Sequence, residues 1–529
     1  MTLMSESEIT IGSASAPTIA AHPLWISLRR VISFPALMAV LLVAVALIGA
    51  QDRLIDPDTW WHVTVGEQIL KTHTWPTYDT YSFTAHGANW IAYEWLGEAV
   101  LALAARAGGL LGLAMFQKAI VALVALLLYY YAYLRSKNAK AACVASTIVL
   151  PIAPMAFTLR PQMIGYVFLL LTLICLERFR QGHTKSLWFL PPLFAVWVNT
   201  HGTFVFGLFV MGLYWVTGLI AFHAGGLVAE RLPQSQRVQL LLTLLLCVLA
   251  LLVTPYGSQI AADPIEMATA QPLNIANVQE WLPLSLSMPL GEYFLLFAIA
   301  LFLAQVTLRL TYKLEDMVML LFGAYAMCAH MRFAIVFVIF LAPILAGFMA
   351  RWVPAYDAAK DRYLLNFALI ALVIFALVKL RPSQNELENI VANDYPVRAV
   401  EYLRHHPQPT GMFNEYGWGG YLISQLSPQH KVFIDGRTDL YEYSGVFPDY
   451  LSIASAQPEA LRLAARCNVQ SVLVKGDSPL ALLLATSPDW RQVYADQLAA
   501  IFVRTGRPEQ GLQVPGAAQT SVPSKGGSL

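Results

Sequence analysis

Between Asp56 and His62 the sequence DPDTWWH sets two carboxylates, two indoles and an imidazole side by side. A carboxylate takes a proton from a hydroxyl nucleophile or holds a divalent ion through oxygen, and an imidazole binds or relays a proton. Asp58 and Asp56 are therefore the candidate catalytic groups, and His62 is a candidate substrate-binding one. More such residues stand at the ends of later apolar runs: Glu94, Arg160 in TLRPQM, Asn199 and His201 in NTHGT, Glu280 beside Trp281, and Arg332 in HMR. Arg160 and Arg332 suit a leaving phosphate, because a guanidinium meets phosphate oxygens with two parallel N–H donors. Glu94 either joins Asp58 in holding a metal such as Mg or Mn or caps the helix that it begins, and the cap is preferred. Asn199 and His201 have the chemistry for a sugar hydroxyl or a metal, although a solitary His is more often a packed, hydrogen-bonded residue.

The elements that must position these groups are membrane helices. Hydrophobic residues make up 57% of the 529 and charged residues 13%, where a soluble protein carries about 25% charged; mean hydropathy is +0.55. Apolar runs suited to crossing a bilayer lie near 31–50, 109–134, 141–157, 162–178, 186–199, 202–222, 238–254, 289–308, 315–330, 332–350 and 362–380. An α-helical polytopic membrane protein of about eleven spans is expected. The segment EWLGEAVLALAAR (94–106) carries Glu94, Glu98 and Arg106 and reads as a helix lying at the membrane surface or entering it only partway. With Arg29 and Arg30 inside, alternation puts every basic loop on the cytoplasmic side. Asp56, Asp58, His62, Glu94, Arg160, His201, Glu280 and Arg332 then share the outer face, where ionisable groups at membrane depth mark a substrate path. The net charge of +1 gives no patch for nucleic acid.

The expected organisation is a cytoplasmic N-terminal tail (1–30), a membrane domain (31–380) with an outer loop at 51–108, an outer α/β domain (381–506) and a disordered tail (507–529). The first residues stay polar for too long to be an ordinary signal peptide. In the α/β domain, VFIDGRTDLY reads as a strand that delivers Asp435 and Arg437 to a site, or else as an ion pair fixing the turn after that strand. Glu415 lies in the preceding GMFNEY turn. The glycines of GWGGYL lack phosphate-loop spacing and no lysine follows. The stretch DPIEMATAQPLNIANVQEW (263–281) has the character of a lid.

The order of a first span, an outer acidic loop and an amphipathic helix resembles the C-type superfamily of membrane glycosyltransferases. DPDTWWHVTVGEQILKTHTWP is similar to the first outer loop of oligosaccharyltransferase catalytic subunits, with Asp58 in the place of the loop aspartate and His62 in that of the later polar residue. GMFNEYGWGGYLISQLSPQHKVFIDGRTDLY is similar in layout to their WWDYG segment, but Phe413, Asn414 and Glu415 stand there, so acceptor recognition does not carry over. DPDTWWH, RPQ, NTHG and FIDGR together also resemble a broad set of bacterial membrane proteins. The resemblance implies transfer of a sugar from a polyprenyl-phosphate lipid at the outer face of the bacterial inner membrane. The competing readings are a transporter or flippase of lipid-linked sugars, against which no internal repeat is seen, and a non-catalytic scaffold of the same fold.

Overall fold

The computed structural model describes residues 29–50, 56–261 and 271–506. The two expected tails, apart from Arg29 and Arg30, and residues 263–270 of the expected lid lie outside the described residues. The chain forms two compact units, one of residues 1–56 with 93–387 and one of residues 57–92 with 388–529. Residues 57–92, which the sequence reading kept with the membrane domain, thus group with the C-terminal segment. Their helix and hairpin-like loop pack on it, as described below.

In the first unit each apolar run carries a helix. Among the described residues four are long and apolar enough to cross a membrane, Trp95–Ser136, Gln162–Arg180, Pro289–Leu308 and Met331–Met349, or five if the bent pair Tyr363–Lys379 with Gln384–Asp394 is one span. Phe34–Gly49, Ala139–Val149, Leu190–Trp197, Phe204–Thr217, Gln234–Ala250 and Leu314–Ala329 are shorter, below the roughly 20 residues a full span needs. The expected count of eleven is therefore not reached by helices that span on their own. Proline explains part of this: Pro151 ends the Ala139–Val149 helix in a 3-10 turn, because it offers no N–H to continue.

The Pro289–Leu308 helix leaves Leu296, Phe302 and Val306 more than 60% exposed. An apolar surface of this kind is stable only when lipid covers it. The Trp95–Ser136 helix breaks at Gly108 and Gly109, where Gly109 has φ +56°, so 94–106 and the following apolar run are distinct, as their composition suggests. The core is built on the Ala334–Met349 helix, buried along most of its length against Leu314–Ala329, Ala139–Val149 and Trp95–Ser136. Strands β1 (Phe222–Ala224), β2 (Leu227–Ala229) and β3 (Tyr312–Lys313) form a small sheet, β1 antiparallel and β3 parallel to β2.

The second unit is α/β. Its sheet runs β4 (Met412–Asn414), β5 (Ser471–Lys475), β7 (Ala499–Arg504), β6 (Trp490–Ala495). β4 and β5 are parallel and the other pairs antiparallel. Helices Val397–His405, Gly419–Leu426, Ala460–Arg466 and Pro479–Thr486 accompany the sheet. KVFIDGR does not extend the sheet: only Val432 makes isolated bridges, to Ser82 and Met412. The Asn414 side chain takes the place of a neighbouring strand, accepting from Phe433 N at 2.8 Å and donating to Ile434 O at 2.8 Å.

Candidate functional site

In the first unit four charged residues from separate segments form one chain of ion pairs. Arg160 Nε donates to both oxygens of Asp56 at 2.8 Å, and its Nη1 reaches the Glu280 oxygens at 3.1 and 3.2 Å. Arg332 Nη1 lies 3.2 Å from the same carboxylate, and its Nη2 donates to Gln162 Oε1 at 3.4 Å. The Arg332 guanidinium also stacks over Trp281, 4.3 Å from the ring centroid. Burial acts to raise the Glu280 carboxyl, but the Arg160 and Arg332 charges outweigh it and hold the group below the usual range. Asp56 is thus committed to Arg160, and of the two arginines it is Arg332 that lines the cavity described below.

Two glycines bring these segments together. A Cβ on Gly97 would lie 2.6 Å from Pro161, the residue after Arg160, and one on Gly165 would lie 2.1 Å from Thr203 Oγ1. Bare backbone lets the helices approach that closely. The junction that follows Trp197 then carries His201 to Glu94, with Nε2 3.3 Å from Oε1. Thr203 N donates to His201 Nδ1 at 3.0 Å, which leaves the proton of the neutral ring on Nε2, pointed at the carboxylate. Burial, with Arg332 second, pushes the His201 imidazole down to about 3, so the ring is neutral at physiological pH.

These groups line one end of a cavity of about 380 Å³: Glu94, His201, Gln162 and Arg332, with Phe206, Phe322, Tyr325 and Ala329 among the residues of an apolar wall. The cavity is polar and ionic at one end and hydrocarbon-like along its side.

The second unit positions Asp58. Pro57 does not keep the stretch extended, as its place between two acids suggests; it opens the helix Pro57–Thr72, since proline fits the first helical position, where no N–H is needed. Asp58 lies in the first turn and accepts from Trp61 Nε1 at 3.1 Å. Gly420 of GWGG and Gly436 of the FIDGR turn give this helix room. A Cβ on Gly420 would fall 2.4 Å from Pro57 O, and one on Gly436 would fall 1.7 Å from Asp58 Oδ1. Gly436 is itself held by its neighbours: Arg437 makes two side-chain bonds to Asp435, at 2.8 and 2.7 Å, and its Nη1 is ion-paired with Asp79 Oδ1 at 2.8 Å. The Arg437 guanidinium sits over the rings of Tyr81 and Trp90, at 5.3 and 4.6 Å, and Tyr441 donates to Asp435 at 2.6 Å.

Several expectations change on this geometry. Asp435 and Arg437 are 0% and 2% exposed and form the ion pair that the sequence offers as the alternative, locking the turn under Asp58. Asn199 has its amide engaged by Ala195 O, Val253 O and Trp95 Nε1, which makes it a joint between helices. Glu94 stands at the N-cap of its helix, but its side chain makes no capping bond; it turns to His201. His62 is 3% exposed and lies against Trp61, ring centroids 3.7 Å apart. Glu415 is part-buried at the ends of the parallel strands, and burial pushes its carboxyl up. The sequence reading missed Asp79, Tyr81 and Trp90; a carboxylate amid TYDTYSF was the signal for a turn, since Asp79 accepts from Tyr81 N and from Ser82. The divalent ion expected on Asp58 and Glu94 finds no group of three or more His, Cys, Asp or Glu among the described residues.

No family model matches the chain, and no curated protein matches its sequence. Among solved structures, the chain is similar to the archaeal oligosaccharyltransferase AglB from Archaeoglobus fulgidus, solved in complex with an inhibitory peptide and a dolichol-phosphate. That similarity has 11% identity, covers 83% of this chain and 69% of that chain, and has a TM-score of 0.45.

Proposed function

We propose that the chain is a membrane glycosyltransferase that moves a sugar from a polyprenyl-phosphate-type lipid to an acceptor hydroxyl or amide at the outer face of the membrane. The observation that carries this reading is the cavity whose one end offers Arg332, Gln162, Glu94 and His201 and whose wall is apolar. A lipid phosphate sugar has the same two halves. In the transfer, the bond from the anomeric carbon to the phosphate oxygen breaks and the phosphate leaves with the electron pair. A bond from the anomeric carbon to the acceptor forms, and the acceptor gives its proton to a carboxylate. Arg332 holds the leaving phosphate, and its partner Glu280 keeps it aimed; Arg160 and Asp56 brace Glu280 from behind. Neutral His201 donates to Glu94 and holds that carboxylate ionised and oriented. The likeness of its loop gives Asp58 the part of catalytic carboxylate.

Binding of a labelled polyprenyl-phosphate sugar to the purified full chain tests this. Arg332→Lys removes the fork and is expected to weaken binding about tenfold to a hundredfold, the range for a charged hydrogen bond of roughly 1.5–3 kcal/mol. Asp58→Asn is expected to leave binding intact and to abolish transfer. Equal donor affinity in the wild type and Arg332→Lys, or a fully active Asp58→Asn variant, would overturn the assignment.

A further inference from the structure

A second ionic cluster occupies the other end of the same helices. The Gln162–Arg180 helix has 19 residues, about 28 Å at 1.5 Å per residue, close to the ~30 Å of a hydrocarbon core. Gln162 lines the cavity described above, whereas Arg180 pairs with Glu315 at the far end. The Leu314–Ala329 helix likewise runs from this far end to His330 beside the first cavity. At the far end Arg135 pairs with Asp316 and lies 3.4 Å from Glu177. The positive-inside pattern assigns this end to the cytoplasm.

Beside that cluster is a cavity of about 330 Å³ lined by Arg135, Lys313, Arg351, Asp316, Glu230 and Phe348, among others. Its cations come from three separate elements and exceed its acids by one. Lys313, on β3, is half-buried and has no hydrogen-bond or ion-pair partner among the described residues. Arg351 makes a single 3.4 Å bond, to Thr311. Asp316 is about nine-tenths buried, yet its Oδ1 has no hydrogen-bond partner among the described residues. Buried polar atoms left without partners are rare and call for an explanation. The cavity asks for a ligand that accepts from ammonium and guanidinium groups and donates to a carboxylate.

We infer that this cavity binds a phosphate ester, with its phosphate among Lys313, Arg351 and Arg135 and a neighbouring hydroxyl or ammonium of the same ligand donating to Asp316. Phosphate matches the guanidinium fork. It is also the abundant anion at the depth where the helices end, and basic pockets between membrane helices on the cytoplasmic side take phosphate headgroups. The source is either a phospholipid headgroup or a soluble phosphate ester. The inference stands apart from the sugar-transfer reading, since it uses none of the residues of the first cavity.

Native mass spectrometry of the delipidated full chain tests it, with phosphatidylglycerol as one probe and soluble glycerol phosphate as the other. Lys313→Gln with Arg351→Gln is expected to weaken binding at least tenfold, and neither substitution touches the Arg135 network. Should the double variant fold poorly, Arg351→Gln alone, at an exposed position, is expected to weaken binding severalfold. Loss confined to the phospholipid arm assigns a headgroup site, and loss in both arms assigns a site for phosphate esters at large. Equal binding by the wild type and the variants in both arms overturns the inference.

Discussion

Gly436→Ala tests how closely the turn must fit beneath Asp58. The added Cβ would fall 1.7 Å from Asp58 Oδ1, 2.8 Å from Asp58 Cγ and 3.1 Å from Trp61 Nε1. Contacts of this kind do not persist below 3.0 Å, so the carboxylate must retreat by about 1.3 Å, the difference between 3.0 and 1.7 Å. Its helix has little room to retreat with it, because Pro57 O already lies 2.4 Å from the point a Gly420 Cβ would occupy. The turn is equally fixed by the buried Asp435–Arg437–Asp79 pairs. The strain therefore falls on the Asp58 side chain and on its bond from Trp61. Overpacking of this size costs about 1–3 kcal/mol of stability. A displacement of about 1 Å in a reacting group lowers a rate roughly a hundredfold, about 2.7 kcal/mol of barrier at 1.36 kcal/mol per decade. The assay is the initial rate of sugar transfer at saturating donor, with donor affinity and thermal melting measured on the same preparation. The expected outcome is a rate about a hundredfold lower with donor affinity unchanged and melting lowered by a few degrees. A Gly436→Ala enzyme that turns over at the wild-type rate would refute the claim that the position of Asp58 matters to the chemistry.

Two further outcomes follow from buried charges. Asp79→Asn takes one carboxylate from Arg437, whose side chain is 1% exposed. Breaking a buried pair costs about 3–5 kcal/mol, and because Asn keeps one acceptor the lower end is expected, read as an earlier unfolding step in tryptophan fluorescence; melting equal to the wild type would contradict it. His201 has its pKa lowered from 6.5 to about 3, so the unfolded chain takes up a proton that the folded one refuses. Stability from this group is full above pH 6.5 and falls as pH drops toward 3. Glu280, itself lowered from 4.5, adds its own loss only below that value. Between pH 6.5 and 4.5 the wild type is expected to lose melting temperature and His201→Gln to lose less, and parallel profiles of the two proteins would remove His201 as the cause.

Sequence alone determined the features that depend on local pattern. The apolar runs, the alternation of helix and strand after residue 381 and the separation of 94–106 from the next span all follow from the types of neighbouring residues, and the Gly108–Gly109 break that realises that separation is itself written in two adjacent letters. Arg160, Glu280 and Arg332 could be singled out because charge at the end of an apolar run is costly wherever the chain goes. Which carboxylate meets which guanidinium is a different matter. Asp56 and Arg160 are 104 residues apart, and Arg160 and Glu280 are 120 apart; no periodicity links them, and only packing through Gly97 and Gly165 brings them together. The same holds for Gly420, whose purpose becomes visible only when the backbone of Pro57 is seen against it. The neutrality of His201 is also a tertiary property, because burial and the nearby Arg332 charge set it, and a lone imidazole in NTHGT carries neither. Residue type limits what a side chain is able to do, and the long-range fold decides its partners, its solvent and therefore its charge.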